Sequence, residues 1–318
     1  MVLNILSESE PVKVSSVVVH IFGDPGVGKS TLGCAADGAL VADFDRSLHR
    51  SLGRKIAAQM DAWSDLSALL ASEELRAASC LTIDTVGRAL DLCALGIVKG
   101  NAKAGSPATG LNIMGWGILK IQFGAFFAQA RALGKDILIL SHAKMERDAT
   151  SGNKVASPDI PGGSAGEVYK AADAMGYMTT VNGRRVIEWD ATDFHTGKNP
   201  AAWGPMEVPP YRPGLDFLHA GIFAPLKARL NQMTEAQTAV LAACSAWDQK
   251  VNDAEAAKGD RAKVFSALVT EALKVHEPPV RVYAKATVHR AATAAGLAWD
   301  SQSAAYVKAP AKAAETGA

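Results

Sequence analysis

Apolar residues along this chain fall into short unbroken runs that end in polar residues. Four stand out: Val17-Val18-Val19-His20-Ile21-Phe22, Ala39-Leu40-Val41-Ala42-Asp43-Phe44-Asp45, Cys80-Leu81-Thr82-Ile83-Asp84-Thr85 and Asp136-Ile137-Leu138-Ile139-Leu140-Ser141-His142. Runs of this length without alternation predict strands covered on both faces, as in a parallel sheet. The segments between them carry helical spacing. A short helix is predicted at 31–37, stopped by Gly38, and a second at 64–70, opened by Ser64. Two longer ones follow at 86–99 and 117–133, the latter with Ile118, Ile121, Phe123, Phe126 and Phe127 inward. Alternating strand and helix predicts an α/β fold with a mainly parallel sheet and helices on both faces.

The rhythm changes after His142. Residues 143–163 carry no period and read as a long loop, the kind that is functional or disordered in a compact domain. Residues 175–181 and 184–190 then flank Asn182-Gly183, the signature of a two-residue hairpin, so the sheet is predicted to finish antiparallel. A Pro- and Gly-rich passage at 205–213 closes this unit. From Thr234 the chain turns Ala-rich, with Thr234 and Gln237 as a capping box and Val240, Leu241, Cys244, Trp247 and Val251 on one face. Asp260 is placed to cap a second helix, and a third is predicted at 284–295. The predicted organisation is a lead-in at 1–12, an α/β core at 13–226, a helical appendage at 227–300 and a disordered tail at 301–318.

Composition narrows the class of protein without choosing a function. The 318 residues are 48% hydrophobic and 20% charged, with a formal net charge of +1. Global charge does not announce a nucleic-acid binder, so any such site is local. No apolar run approaches the roughly 20 residues needed to span a bilayer, and no signal peptide is recognised. Cys34, Cys80, Cys93 and Cys244 are scattered without metal-ligand spacing, which fits reduced thiols in a cytoplasmic protein.

The sharpest chemical signal follows the first strand. Gly23-Asp24-Pro25-Gly26-Val27-Gly28-Lys29-Ser30, continued by Thr31, is a Gly-x-x-x-x-Gly-Lys-Ser phosphate loop in the required strand–loop–helix setting. Its glycines let backbone N–H groups approach a polyphosphate, Lys29 supplies a compact cation, and Ser30 offers a hydroxyl to Mg²⁺. Asp84 ends a later strand, where an acid beside Ser30 would complete the Mg²⁺ shell, or else cap the next helix. ATP and Mg²⁺ are the cofactors these residues call for.

From these motifs through Pro161-Gly162-Gly163, the order of parts resembles the RecA-like ATPases, and among them the phage-encoded single-strand annealing and recombination proteins of the AAA type. The matching span is about residues 17–205. The resemblance implies that Asp45, in Asp43-Phe44-Asp45, is the base orienting the attacking water, although Asp stands where the family has Glu. His142 takes the part of a γ-phosphate sensor, a core histidine being the alternative. The irregular loop implies single-stranded DNA contacts through Lys144, Arg147, Lys154 and Lys170, set against Glu146, Asp148, Asp159 and Glu167. Thr196-Gly197-Lys198-Asn199-Pro200 is similar to an element whose lysine reaches a neighbouring subunit's nucleotide, so Lys198 is a candidate trans finger.

Together these imply an oligomeric Mg²⁺-dependent ATPase whose nucleotide state gates single-stranded DNA binding and annealing, with a single-strand binding protein as a possible partner and no membrane partner. A nucleotide or small-molecule kinase shares the phosphate loop. A nucleotide-regulated interaction protein with slow turnover is the third reading.

Overall fold

A computed structural model describes residues 10–106, 110–147 and 152–309. In chain order the core elements are β1 (Val18–Gly23), α1 (Lys29–Gly33), β2 (Ala39–Asp43), β3 (Ile56–Gln59), α2 (Asp65–Ala71), α3 (Glu73–Ala77), β4 (Cys80–Asp84) and α4 (Val86–Gly100). A short pair, β5 (Gly105–Ser106) with β6 (Gly110–Leu111), leads into α5 (Ile113–Ala132). Then come β7 (Asp136–Arg147), β8 (Lys154–Pro158), α6 (Ser164–Ala171), β9 (Ala174–Val181), β10 (Arg184–Glu188) and β11 (Met206–Glu207). The rest is α7 (Ala224–Ala256), α8 (Arg261–Leu273), α9 (Pro278–Ala294), β12 (Leu297–Asp300) and β13 (Ala305–Lys308).

The core sheet runs β11-β10-β9-β1-β7-β4-β2-β3, with β8 paired to β7. Strands β9, β1, β7, β4, β2 and β3 are mutually parallel, while β10 and β11 close one edge antiparallel. This is the mainly parallel sheet with helices on both faces, an antiparallel hairpin and a C-terminal helical region that the apolar pattern calls for. Its faces follow the two-residue period of the strands. Val17, Val19 and Ile21 pack with Leu32, Leu138, Leu140 and Phe223 on one side. Val18 joins Leu81, Ile83, Ile139, Leu90, Phe123 and Phe127 on the other.

Two acids, Asp136 buried and Asp173 half-buried, fix the amino ends of the central strands. Asp136 Oδ1 accepts the Val17 N–H at 3.0 Å, and its Oδ2 accepts Lys227 Nζ at 2.7 Å. Asp173 Oδ2 accepts the Val18 N–H at 2.7 Å.

Of the segments that differ from the sequence expectation, three differ most, and in addition Ile121 and Leu241, expected inward, are exposed. Residues 143–163 are not a continuous loop, because β7 runs on to Arg147 and pairs antiparallel with β8 from Ala143↔Pro158 to Arg147↔Lys154. Lys144-Met145-Glu146-Arg147 has no apolar run to betray a strand, and cross-strand hydrogen bonds make it one. The helix predicted from Thr234 is instead continuous from Ala224, and Thr234 Oγ1 donates back to the Asn231 carbonyl rather than capping a terminus. Finally, the part of the predicted disordered tail that is described, residues 301–309, forms the turn and second strand of a hairpin. Residues 310–318, like most of the lead-in at 1–12, lie outside the described residues.

The described residues fall into two compact units: 14–230, and 231–309 with 10–13. The second has its own core of Trp247 and Val251 from α7, Phe265 and Val269 from α8, Val280, Ala284 and Val288 from α9, and Leu297 and Tyr306 from the hairpin.

Candidate functional site

At the carboxyl ends of β1, β2, β4 and β7 a cavity of about 570 Å³ opens over the phosphate loop. Its lining includes Pro25, Gly26, Gly28, Lys29, Ser30 and Thr31 from the loop and α1, Asp45 beyond β2, Asp84 and Thr85 at the end of β4, and His142 on β7. Adjacent strands in a parallel sheet present their ends side by side, so residues far apart in sequence meet here. Asp43 and Asp84 are register partners, and Gly23 pairs with His142.

The loop's glycines are required by its geometry. A Cβ on Gly23 would lie 2.2 Å from the Met178 carbonyl oxygen, so β1 turns out of the sheet against bare backbone. Gly28 has φ 101°, a left-handed conformation that L side chains rarely adopt. The side of Gly28 is also covered, since a Cβ there would sit 3.0 Å from the Arg185 guanidinium.

Lys29 is 5% exposed, and its Nζ donates to the Gly23 carbonyl at 2.8 Å and the Asp24 carbonyl at 2.9 Å. Desolvation lowers its pKa to about 8 against the opposing pull of Asp84, Asp24 and Asp45. Asp84 is 1% exposed, and both of its carboxylate oxygens are buried without a hydrogen-bond partner. Burial raises its pKa to about 6, with Asp45 and Asp43 pushing the same way. The Ser30 hydroxyl is near enough to favour the ionised form, though short of a hydrogen bond by geometry. A buried acid with two orphan oxygens beside a hydroxyl is a site built for a cation. The chemistry of Ser30 and Asp84, a hydroxyl beside a buried carboxylate with unpartnered oxygens, fits a Mg²⁺ ion. Among the described residues no group of three His, Cys, Asp or Glu side chains can hold a metal unaided.

Asp45 and His142 face one another across the cavity, Nε2 to Oδ2 at 3.7 Å, and His142 Nδ1 is buried without a partner. Asp43, the other acid at this strand end, points elsewhere: it accepts the Ser47 and Leu48 N–H groups and shapes the turn.

The other candidates lie outside the cavity. Lys198 Nζ donates to the Ala172 carbonyl at 2.5 Å and sits 5.6 Å from the centre of the Tyr169 ring. Lys144 is paired with Glu146 at 2.8 Å, and Lys170 on α6 with Glu167 at 3.4 Å. Arg147 and Lys154 are both exposed and face each other as register partners across the β7–β8 hairpin. The structure thus brings together Arg147 and Lys154 on the hairpin, while Lys170 lies on α6.

Sequence reasoning missed Arg185, Arg50 and Thr85, all of which line the cavity. Arg185 reaches the phosphate loop because the Asn182-Gly183 turn sets the register of β10. Asn182 and Gly183 have φ 51° and 77°, as a type I′ turn demands. The turn was legible, but the side of the sheet that Arg185 faces was not.

No curated protein matches the chain. Among solved structures, it is similar to flagellar accessory protein FlaH from Methanocaldococcus jannaschii, with 14% identity over 54% of this chain and 76% of that one and a TM-score of 0.31. It is also similar to the RadB recombinase, with 12% identity over 54% of this chain and 79% of that one and a TM-score of 0.35. No helix among the described residues is long and apolar enough to cross a membrane. The family model described as an AAA domain matches residues 15–201, from just before the first core strand past the antiparallel hairpin, and the chain belongs to that family.

Proposed function

We propose that this protein is a Mg²⁺-dependent ATPase of phage-type DNA recombination. Its nucleotide state gates binding and annealing of single-stranded DNA, and it works as a homo-oligomer in the cytoplasm. One observation carries the reading: a single cavity gathers a phosphate loop, a buried lysine, a buried metal-ready acid and an Asp45–His142 pair at 3.7 Å.

The roles follow from the chemistry. Gly23 to Thr31 cradle the phosphates with backbone N–H groups, and Lys29 leaves its two carbonyls for the outer phosphate oxygens. Ser30 and Asp84 would hold Mg²⁺, which would supply positive charge to offset that on the phosphate oxygens. Asp45 orients a water and takes its proton as the water oxygen bonds to the γ-phosphorus. The bond from that phosphorus to the bridging oxygen breaks, and ADP leaves with the electron pair. Asp45 is one methylene shorter than the usual Glu, so turnover is slow. His142 donates to a γ-phosphate oxygen and so reads whether the phosphate is present. It also begins the exposed half of β7, and five residues on Arg147 stands opposite Lys154. Two cations at one cross-strand position repel, and a polyanion at the hairpin relieves that repulsion. The hairpin is therefore the proposed DNA element, with Lys144 and Lys170 reached by exchange of their present partners. Lys198 is proposed to leave Ala172 for a neighbouring subunit's phosphate in the assembled form.

The test is hydrolysis of ATP by the purified protein with and without single-stranded DNA, for the wild type and Lys198→Ala. Mg²⁺-dependent release of phosphate, raised about tenfold by DNA in the wild type and much less in the variant, is expected. Transfer of the phosphoryl group to a nucleoside instead of water, or indifference to DNA, overturns the reading.

A further inference from the structure

The C-terminal unit has a surface that the ATPase reading leaves unused. Helices α8 and α9 are joined by four residues, 274–277, and share one core with the β12–β13 hairpin that follows them. The connectivity is helix, short turn, helix and hairpin, the order found in helix–turn–helix modules whose second helix enters the major groove of DNA.

Charge within the unit is strongly segregated. Residues 231–260, mostly α7, hold Glu235, Asp248, Asp253, Glu255 and Asp260 against Lys250 and Lys258. Helix α9 holds Arg281, Lys285 and Arg290 with His289 and contains no acid. Its core face is Val280, Ala284, Thr287, Val288, Ala291 and Ala292. The opposite face exposes Val282, Lys285, Ala286, His289, Arg290 and Thr293, so the cations alternate with small side chains that allow close approach. Among the described residues neither Lys285 nor Arg290 has an ion-pair partner. Three acids of the unit are already engaged, while a fourth, Glu277, is exposed at the amino cap of α9. Asp248 accepts from Tyr283 Oη at 2.8 Å, Glu271 is ion-paired with Lys250, and Asp300 accepts from Ser303 and from the Gln302 N–H.

The hairpin is fixed to the same helix. Tyr306 is buried, its N–H donates to Ser266 Oγ at 2.8 Å, and its hydroxyl is 3.1 Å from His289 Nδ1. Trp299 stacks edge-on against Tyr306 and remains 39% exposed, and Lys308 on the second strand is exposed. A 17-residue helix is about 25 Å long, and a B-DNA major groove about 12 Å wide admits one.

We infer that α9 and the β12–β13 hairpin form a binding site for double-stranded DNA, with the exposed face of α9 in the major groove. Arg281, Lys285, Arg290 and Lys308 contact phosphates, and the hairpin lies along the adjacent backbone. This site shares no residue with the nucleotide cavity and stands whether or not the chain hydrolyses ATP.

The test uses the full-length protein without nucleotide and a fluorescently labelled DNA duplex, with anisotropy read at several salt concentrations. Four phosphate contacts correspond to an affinity loss of about 100-fold between about 50 and 200 mM salt. Lys285→Ala with Arg290→Ala should weaken binding by about tenfold or more and flatten the logarithmic salt slope by about two units. Lys285→Gln with Arg290→Gln keeps side-chain length and should behave alike, which separates charge from folding. A single strand of the same sequence, or the RNA duplex with its deep narrow major groove, should compete poorly. The assignment is overturned by no duplex binding, by an unchanged slope in both double variants, or by equal competition from single strand or RNA duplex.

Discussion

The two units of this protein use charge in opposite ways. In the core, Lys29 and Asp84 are almost wholly removed from water and their pKa values move toward one another, to about 8 and about 6. In the C-terminal unit, Lys285, His289 and Arg290 stand exposed on one helix face. Buried charges in low dielectric act strongly, over short distances and one at a time, whereas exposed ones act weakly, together, and only as far as salt permits. The core is therefore suited to chemistry on a small charged ligand, and the appendage to tracking an extended polyanion.

That contrast can be broken most directly at Lys29. Lys29→Ala should lower nucleotide turnover by about 100-fold or more, with the circular dichroism spectrum unchanged. Turnover that survives removes the phosphate loop from the mechanism.

Asp84→Asn comes next, with an effect of two signs. The folded-state pKa is raised from 3.8 to about 6, so ionising Asp84 costs stability. The penalty is absent below about pH 4, grows between pH 4 and 6, and is complete above that. Asparagine removes it. The variant should be more stable than the wild type at pH 7.5 by about 1–3 kcal/mol, no different at pH 4, and without Mg²⁺-dependent turnover. Equal melting temperatures at both pH values would show that Asp84 carries no buried charge.

The smallest effect should come from Arg185→Ala. Its guanidinium covers Gly28 and lines the cavity, where it would add one charge-assisted contact to a phosphate held by the loop. About tenfold weaker nucleotide binding is expected by titration calorimetry. An unchanged dissociation constant would leave Arg185 as packing for Gly28 only.

Much of the core was legible because its signals are local. Val17 to Phe22, the phosphate loop and the acid ending Cys80 to Asp84 each announce themselves within a few residues, and the period of the flanking segments orders them. Asn182-Gly183 likewise carries its own backbone demand. What stayed hidden depends on pairing. Residues 144–147 become a strand only because residues 154–157 lie opposite them, and Arg185 reaches the loop only through the register of β10. The Thr234–Gln237 pattern misled because a capping box inside a continuous helix looks the same in sequence as one at its start. The hairpin at 297–308 was missed because its polar turn, Ser301-Gln302-Ser303, resembles a solvated tail until Tyr306 is seen buried against α8 and α9.

The acids at the amino ends of the central strands bear on how the core can move. Asp136 ties the start of β7 to Val17, and Asp173 ties the start of β9 to Val18. Three neighbouring strands are thus staked at one end, and sliding past each other would break both stakes. At the other end the β7–β8 hairpin is tied in as well, because the Ala156 N–H donates to the Phe194 carbonyl and the Thr196 N–H to the Ala156 carbonyl, so the strands reach the cavity as one framework.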